Sequence, residues 1–317
     1  MPKRSSPPVV PFPRDRGDQR TYRLTDKLPA GTPGAIPQPA HDVTREPYHV
    51  TPEVADAVNL AIALGRPLLV QGDPGVGKTA LAKAVADNLE LPLERAYIKS
   101  TSRAQDLLYT FDAVRRLYDL QKPSALAEAV ELDPARYLQL GALGRAIVRS
   151  RSEQQSVVLI DEIDKADIDF PNDLLRELDE LAFDVPEVPA FDGRANRKLR
   201  PVVIITNNEE RSLPAAFLRR CVFHYIEFPH ERDILDRILA MHDIERDDLR
   251  YETTSMVLEL RGLGLSRPPG LGELLDWAGY LETIGAGAEA AGRLAHAGAL
   301  LKTRDDRDRV RKAQLGT

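Results

Sequence analysis

Four short runs carry residues whose types and spacing can do chemistry together. Gly72-Asp73-Pro74-Gly75-Val76-Gly77-Lys78-Thr79, followed by Ala80, has the spacing of a phosphate-binding loop: Gly, four residues of any type, Gly, Lys, then Ser or Thr. Glycines let successive backbone N–H groups turn inward on phosphates at a helix N-terminus, Lys78 reaches the β and γ oxygens, and Thr79 supplies a hydroxyl to Mg2+. Val157-Val158-Leu159-Ile160-Asp161-Glu162 is an apolar run ending in two carboxylates. At the carboxyl end of a parallel strand, Asp161 suits the metal shell and Glu162 suits deprotonation of an attacking water. A site that only binds nucleotide needs the first of these and not the second. Val202-Val203-Ile204-Ile205-Thr206-Asn207-Asn208 ends instead in amides, which orient a phosphate oxygen or a water without adding charge. Arg219 and Arg220 follow shortly after. Adjacent arginines cannot easily both reach their own chain's γ-phosphate, but one at a subunit edge can reach a neighbour's, and Arg220 is the favoured candidate.

These runs need elements to hold them. Short apolar stretches at 67–71, 157–160 and 202–205 read as buried strands, with further strands expected over 96–99 and 222–227. Helical patterns lie between them, and such alternation predicts a parallel sheet covered on both faces. Thr51-Pro52-Glu53 opens the first helix and Gly65 closes it. From about residue 231 the pattern turns wholly helical, so a small helical domain is expected beyond a boundary near Pro229.

Composition narrows the class. The chain has 317 residues, enough for two domains, with 43% apolar and 29% charged residues. Its 43 Lys and Arg stand against 49 Asp and Glu, a net charge of −6, so nucleic acid is not the expected partner. The single cysteine, Cys221, excludes an internal disulfide and suits a cytoplasmic setting. No apolar run approaches the ~18 residues of a spanning helix, and no secretory signal is visible. Eleven of the 24 prolines fall in residues 1–52. Residues 1–47 are therefore expected to form a disordered, proline-rich tail, with docking of Tyr22-Arg23-Leu24 as the alternative. Residues 304–317 are expected to be a charged C-terminal tail, with the 304–312 run a solvated helix face or a frayed end.

The four runs in this order resemble the AAA+ ATPases, and the finer resemblance is to the MoxR group. It rests on Pro67-Leu68-Leu69-Val70-Gln71-Gly72, Asp161-Glu162-Ile163-Asp164-Lys165-Ala166, Phe170-Pro171-Asn172-Asp173-Leu174-Leu175 and Leu213-Pro214-Ala215-Ala216-Phe217-Leu218-Arg219-Arg220-Cys221, and it covers about residues 48–303. The resemblance implies an AAA+ P-loop α/β fold with a five-stranded parallel sheet of order 5-1-4-3-2 over 48–229 and a small helical lid over 230–303. It implies ATP and Mg2+, Walker A at 72–79, Walker B at 157–162, sensor 1 at Asn208 rather than Asn207, and an arginine finger at Arg220 or Arg219. The family's first ordered segment lies by the adenine, which implicates Tyr48 and Val50. Arg267, in Ser266-Arg267-Pro268-Pro269-Gly270, is the candidate second sensor, although it is displaced from the family's usual position. A homo-oligomeric ring, hexameric in the family, and a partner with a von Willebrand factor A domain are also implied.

Two insertions stand apart from these motifs. Residues 106–119 look like the family's hairpin in its second helix, and residues 183–199 carry Arg194, Arg197 and Lys198, with Arg200 next. In a ring both are expected to face the pore. The rival readings are a nucleic-acid-associated motor or restriction-type ATPase using the 194–200 loop, and a nucleotide-dependent switch with little turnover.

Overall fold

The computed structural model describes residues 12–14, 19–29, 32–34, 40–121 and 133–315. Strands β1 (Thr21–Leu24) and β2 (His41–Thr44) pair antiparallel. Helix α1 (Pro52–Leu64) follows; the Thr51 hydroxyl accepts from Val54 N–H at 3.4 Å, proline occupies the first turn, and Gly65 ends the helix in the left-handed region. Then come β3 (Leu68–Gln71), α2 (Lys78–Leu89), β4 (Leu93–Tyr97), β5 (Tyr109–Phe111), α3 (Ala113–Gln121), β6 (Leu138–Leu140), α4 (Ala142–Arg149) and β7 (Val157–Asp161). The chain continues through α5 (Phe170–Asp173), α6 (Leu175–Glu180), β8 (Ala182–Phe183), β9 (Gly193–Arg194), β10 (Val202–Asn207), α7 (Ala215–Leu218) and β11 (Val222–Tyr225). Five helices finish it: α8 (Arg232–Met241), α9 (Asp247–Gly262), α10 (Leu271–Thr283), α11 (Ala288–Gly292) and α12 (Arg304–Leu315).

The described residues fall into two compact units. One takes the chain up to 46, 51–71 and 81–224; the other takes 47–50, 72–80 and 225 onward. The division after 224 lies five residues before the expected boundary at 229, and the phosphate-binding loop groups with the helical unit.

In the first unit a five-stranded sheet runs β11-β3-β10-β7-β4, which is the expected order 5-1-4-3-2. β3, β10, β7 and β4 pair in parallel. β7 and β10 are buried along their whole length, so both read as continuous apolar runs. Leu69, Ile147, Val158, Ile160, Ile205 and Phe217 belong to one core.

Edge strand β4 spans 93–97 rather than the expected 96–99. It begins earlier because Glu94, a residue that argues against a buried strand, is satisfied there: Arg145 and Arg149 each donate to it at 2.7 Å. The two insertions form small antiparallel ribbons, β5 with β6 and β8 with β9.

Within the expected tail over 1–47 the described residues dock on the first unit, Tyr22-Arg23-Leu24 among them as in the alternative reading; the rest of that segment lies outside the described residues. Phe12 is buried and exchanges two hydrogen bonds with the Asn59 side chain, and Arg14 exchanges two with Asn88. The Tyr22 hydroxyl donates to Asp87 at 3.0 Å, while Arg45 stacks 4.6 Å from the Tyr22 ring centroid and pairs with Glu90. Asp26 pairs with Arg149, which is only 2% exposed. These described stretches carry little apolar surface and are held by amides and charges that the folded body supplies.

The helical unit has its own core, with Leu235, Leu239, Val257, Leu274, Trp277 and Leu281 at its centre. Over the expected C-terminal tail, residues 304–315 form α12, and 316–317 lie outside the described residues. α12 packs Val310 into this core and buries Asp306, which accepts from the Ser266 N–H and hydroxyl and from the Arg267 N–H. Burial alone would raise the Asp306 carboxyl, but these bonds and one with Thr303 outweigh it and hold the pKa at about 2.

Candidate functional site

Register sets the carboxyl edge of the sheet. Gln71 of β3 lies opposite Asn207 of β10, and Ile205 lies opposite Ile160 of β7, so Asp161 ends β7 on the same edge. The phosphate-binding loop leaves this edge covalently, from Gln71 into Gly72.

A hydroxyl joins the two strand ends. Thr206 Oγ1 donates to Asp161 Oδ1 at 2.7 Å and accepts from the Glu162 N–H at 2.8 Å. Asp161 is buried, whereas Glu162 leaves the strand in the left-handed conformation (φ 59°, ψ 54°), a cost of roughly 1–2 kcal/mol for a residue with a Cβ. Strain of this kind is found where a side chain has to be aimed. Glu162 Oε1 accepts from Asn208 Nδ2 at 3.2 Å, and Oε2 pairs with Lys165.

The two amides divide their roles. Asn207 is 1% exposed and turns its oxygen onto the Glu209 N–H at 2.9 Å, which makes it a turn cap. Asn208, the amide chosen as sensor 1, reaches the Glu162 carboxylate. Asp164, 3% exposed, accepts from the Asn208 and Glu210 N–H groups at 3.1 and 2.9 Å and so fixes the loop that carries the amide. Sequence reasoning assigned no role to Thr206 or Asp164. Their signals were a hydroxyl before the amides and an acid two residues beyond Glu162.

The paired arginines also separate. Arg220 donates from Nε to Asp179 at 2.7 Å and from a terminal nitrogen to the Ala216 carbonyl at 3.0 Å. Arg219 is exposed, and its side chain has no ion-pair partner among the described residues. Burial pushes the adjoining Cys221 thiol up to about 12.

In the helical unit the phosphate-binding loop uses Gly72, Gly75 and Gly77 at φ 146°, 80° and 95°. A Cβ on Gly72 would run into the Ile226 carbonyl oxygen, so glycine is required there. Lys78, buried at the head of α2, donates to the Gly72 and Asp73 carbonyls at 2.5 and 2.8 Å. Val76 is buried in the helical core, Pro74 is exposed, and Gly75 accepts from the Gly272 N–H at 3.1 Å. Thr79 and Ala80 follow Lys78 in the first turn of α2. The Tyr48 ring lies 3.5 Å from where a Gly77 Cβ would be, and burial raises its hydroxyl pKa; Val50 is half-buried. Tyr48 thus adjoins the loop. Arg267 is exposed, and the contacts described for it are those of its backbone N–H with Asp306.

The donor set fits a nucleotide with Mg2+. The loop presents backbone without side chains at its three left-handed glycines; Thr79 in the helical unit and Asp161 in the first unit each carry a hard oxygen of the kind Mg2+ favours. Among the described residues no group of three or more His, Cys, Asp or Glu is placed to hold a metal. No helix of the described residues is long and apolar enough to cross a membrane. The family model described as "ATPase family associated with various cellular activities (AAA)" matches residues 68–230, just over half of the chain.

Proposed function

The chain belongs to the AAA ATPase family, and from that premise we propose that it hydrolyses ATP with Mg2+ at sites completed between subunits of a hexameric ring. As a MoxR-type member it uses turnover to remodel or activate a partner protein, one carrying a von Willebrand factor A domain. The observation that carries the hydrolytic reading is the bond from Asn208 to Glu162, beside the Thr206 link to Asp161. A protein that only binds nucleotide needs no base held in this way.

Each residue then has a task. Backbone N–H groups of 72–79 receive the phosphates, and Lys78 neutralises the β and γ oxygens. Thr79 and Asp161 are the residues that would hold Mg2+, whose chemistry there would be neutralisation of phosphate charge. Glu162 takes the proton of the attacking water, and Asn208 sets the direction of the carboxylate and of that water. Thr206 keeps Asp161 and the Glu162 backbone in register. Because Arg220 is engaged by Asp179, Arg219 is the arginine extended to the neighbouring subunit's γ-phosphate.

The test is ATP turnover per subunit with Mg2+ from nanomolar to micromolar protein, with mass measured at each concentration. A specific rate that climbs and saturates as the ring assembles is expected. A rate independent of assembly overturns the shared site, and no turnover with or without a von Willebrand factor A domain protein overturns hydrolysis. Loss of assembly-dependent turnover on adding that partner would count against activation.

A further inference from the structure

The candidate second sensor, Arg267, is exposed, but another arginine in the helical unit reaches the phosphate-binding loop. Arg261, in the last turn of α9, places a terminal nitrogen 3.7 Å from Asp73 Oδ2, the second residue of the loop. A terminal nitrogen donates to the Pro269 carbonyl at 2.7 Å, just ahead of α10. The guanidinium lies 3.9 Å from the ring centroid of Phe228, itself buried in the helical core beside Val76 of the loop. One cation therefore touches the start of the loop, the segment entering the helical unit and the turn before α10. That turn continues directly into Gly272, whose N–H bonds Gly75.

The guanidinium is poorly compensated for its burial. Its side chain is 12% exposed, and Nε is buried with no hydrogen-bond partner among the described residues. Burial lowers its pKa despite Asp73, although an arginine stays charged at any ordinary pH. A buried cation with a single carboxylate at long range depends on that carboxylate, and a loop bearing it is held by the cation. Stacking on Phe228 fixes the fork, so the charge cannot follow the loop if the loop moves.

We propose that Arg261 is a positioning residue for nucleotide binding, acting through Asp73 to hold the phosphate-binding loop in its receiving shape. This rests on the reading of 72–79 as the ATP-binding loop and adds that the helical unit governs the affinity of that loop. Arg261 itself touches no phosphate in this account, and its effect falls on KM more than on kcat.

The test is equilibrium binding of a fluorescent ADP analogue to the full chain, with Arg261→Met, Arg261→Lys, Asp73→Asn and the Arg261→Met/Asp73→Asn pair. Each of Arg261→Met and Asp73→Asn is expected to weaken binding about tenfold, and the pair to be no weaker than one of them, as for partners in one interaction. Arg261→Lys keeps the charge but loses the planar fork, and its affinity should fall between wild type and Arg261→Met. Wild-type affinity in Arg261→Met, or losses that multiply in the pair, overturns the proposal. Thermal unfolding without nucleotide reports whether Arg261→Met folds. Should it not, the exposed Asp73→Asn change decides, and unaltered binding there is equally fatal. Absence of binding by the wild-type chain would instead overturn the ATP reading itself, so the two failures are distinguishable.

Discussion

Asn208 Nδ2 donates to Glu162 Oε1 at 3.2 Å although 46 residues of chain separate them. The contact exists because β10 lies beside β7 in parallel, which brings the residues just beyond the two strands to one edge. It joins the carboxylate suited to deprotonate water with the amide suited to orient it. Replacing Glu162 with Gln is expected to lower turnover by about 10²–10⁴-fold while nucleotide binding persists. Asn208→Ala should lose roughly 10²-fold through misdirection of the same carboxylate. Steady-state hydrolysis beside equilibrium binding checks both, and equal loss of binding and turnover would contradict the assigned roles.

Arg219 and Arg220 should behave differently because only Arg220 is paired, with Asp179. Arg219→Ala is expected to lower turnover by about 10³-fold or more, and Arg220→Ala by much less. Mixing Arg219→Ala with Glu162→Gln subunits should raise activity above either alone, since some junctions regain both groups. A mixture no more active than its parts would place the arginine's action within one subunit.

Asp306 links α12 to the turn at 266–267, and its carboxyl is held at about 2 against an ordinary value near 3.9. The folded pKa is depressed, so its contribution to stability is complete above the ordinary value and is lost as pH falls through the folded value. Thermal unfolding from about pH 5 to pH 2 should show wild type losing stability more steeply than Asp306→Asn. Parallel curves would show that Asp306 titrates alike in both states.

Arg149 is 2% exposed and is shared by Glu94 and Asp26. Glu94→Ala leaves that cation with too little negative charge and should destabilise by about 3 kcal/mol or more in urea unfolding. Asp26→Ala should cost less, because Asp26 is more exposed and Glu94 remains. Its sharper effect should be faster proteolysis within residues 19–29, which Asp26 helps to tie down.

Much of the sheet was legible because β7 and β10 are buried on both faces and so, up to Asp161 and Asn207 at their ends, consist of unbroken β-branched and leucine residues. β4 was misplaced by three residues at its start, since the charged Glu94 becomes acceptable only once Arg145 and Arg149 are known to meet it. What receives the docked N-terminal segment was hidden for the same reason: Asn59, Asp87 and Asn88 hold it, and nothing local marks them as receptors. Within the site, the phosphate-binding loop, Asp161 and Glu162 stand in spacings that chemistry requires. Thr206, Asp164 and Arg261 were missed because a lone hydroxyl, acid or base acquires a role only from neighbours distant in sequence. The pairing of Arg220 with Asp179, some 40 residues away, was likewise invisible in the sequence.

Cys221 is the only cysteine in the chain and directly follows the two arginines. With its thiol half-buried and raised to about 12, it should react slowly with alkylating reagents at neutral pH. Any rearrangement that bares this segment, whether from nucleotide, assembly or a partner, would quicken that reaction at a single native atom. The unaltered chain therefore carries its own chemical clock for motion beside Arg219.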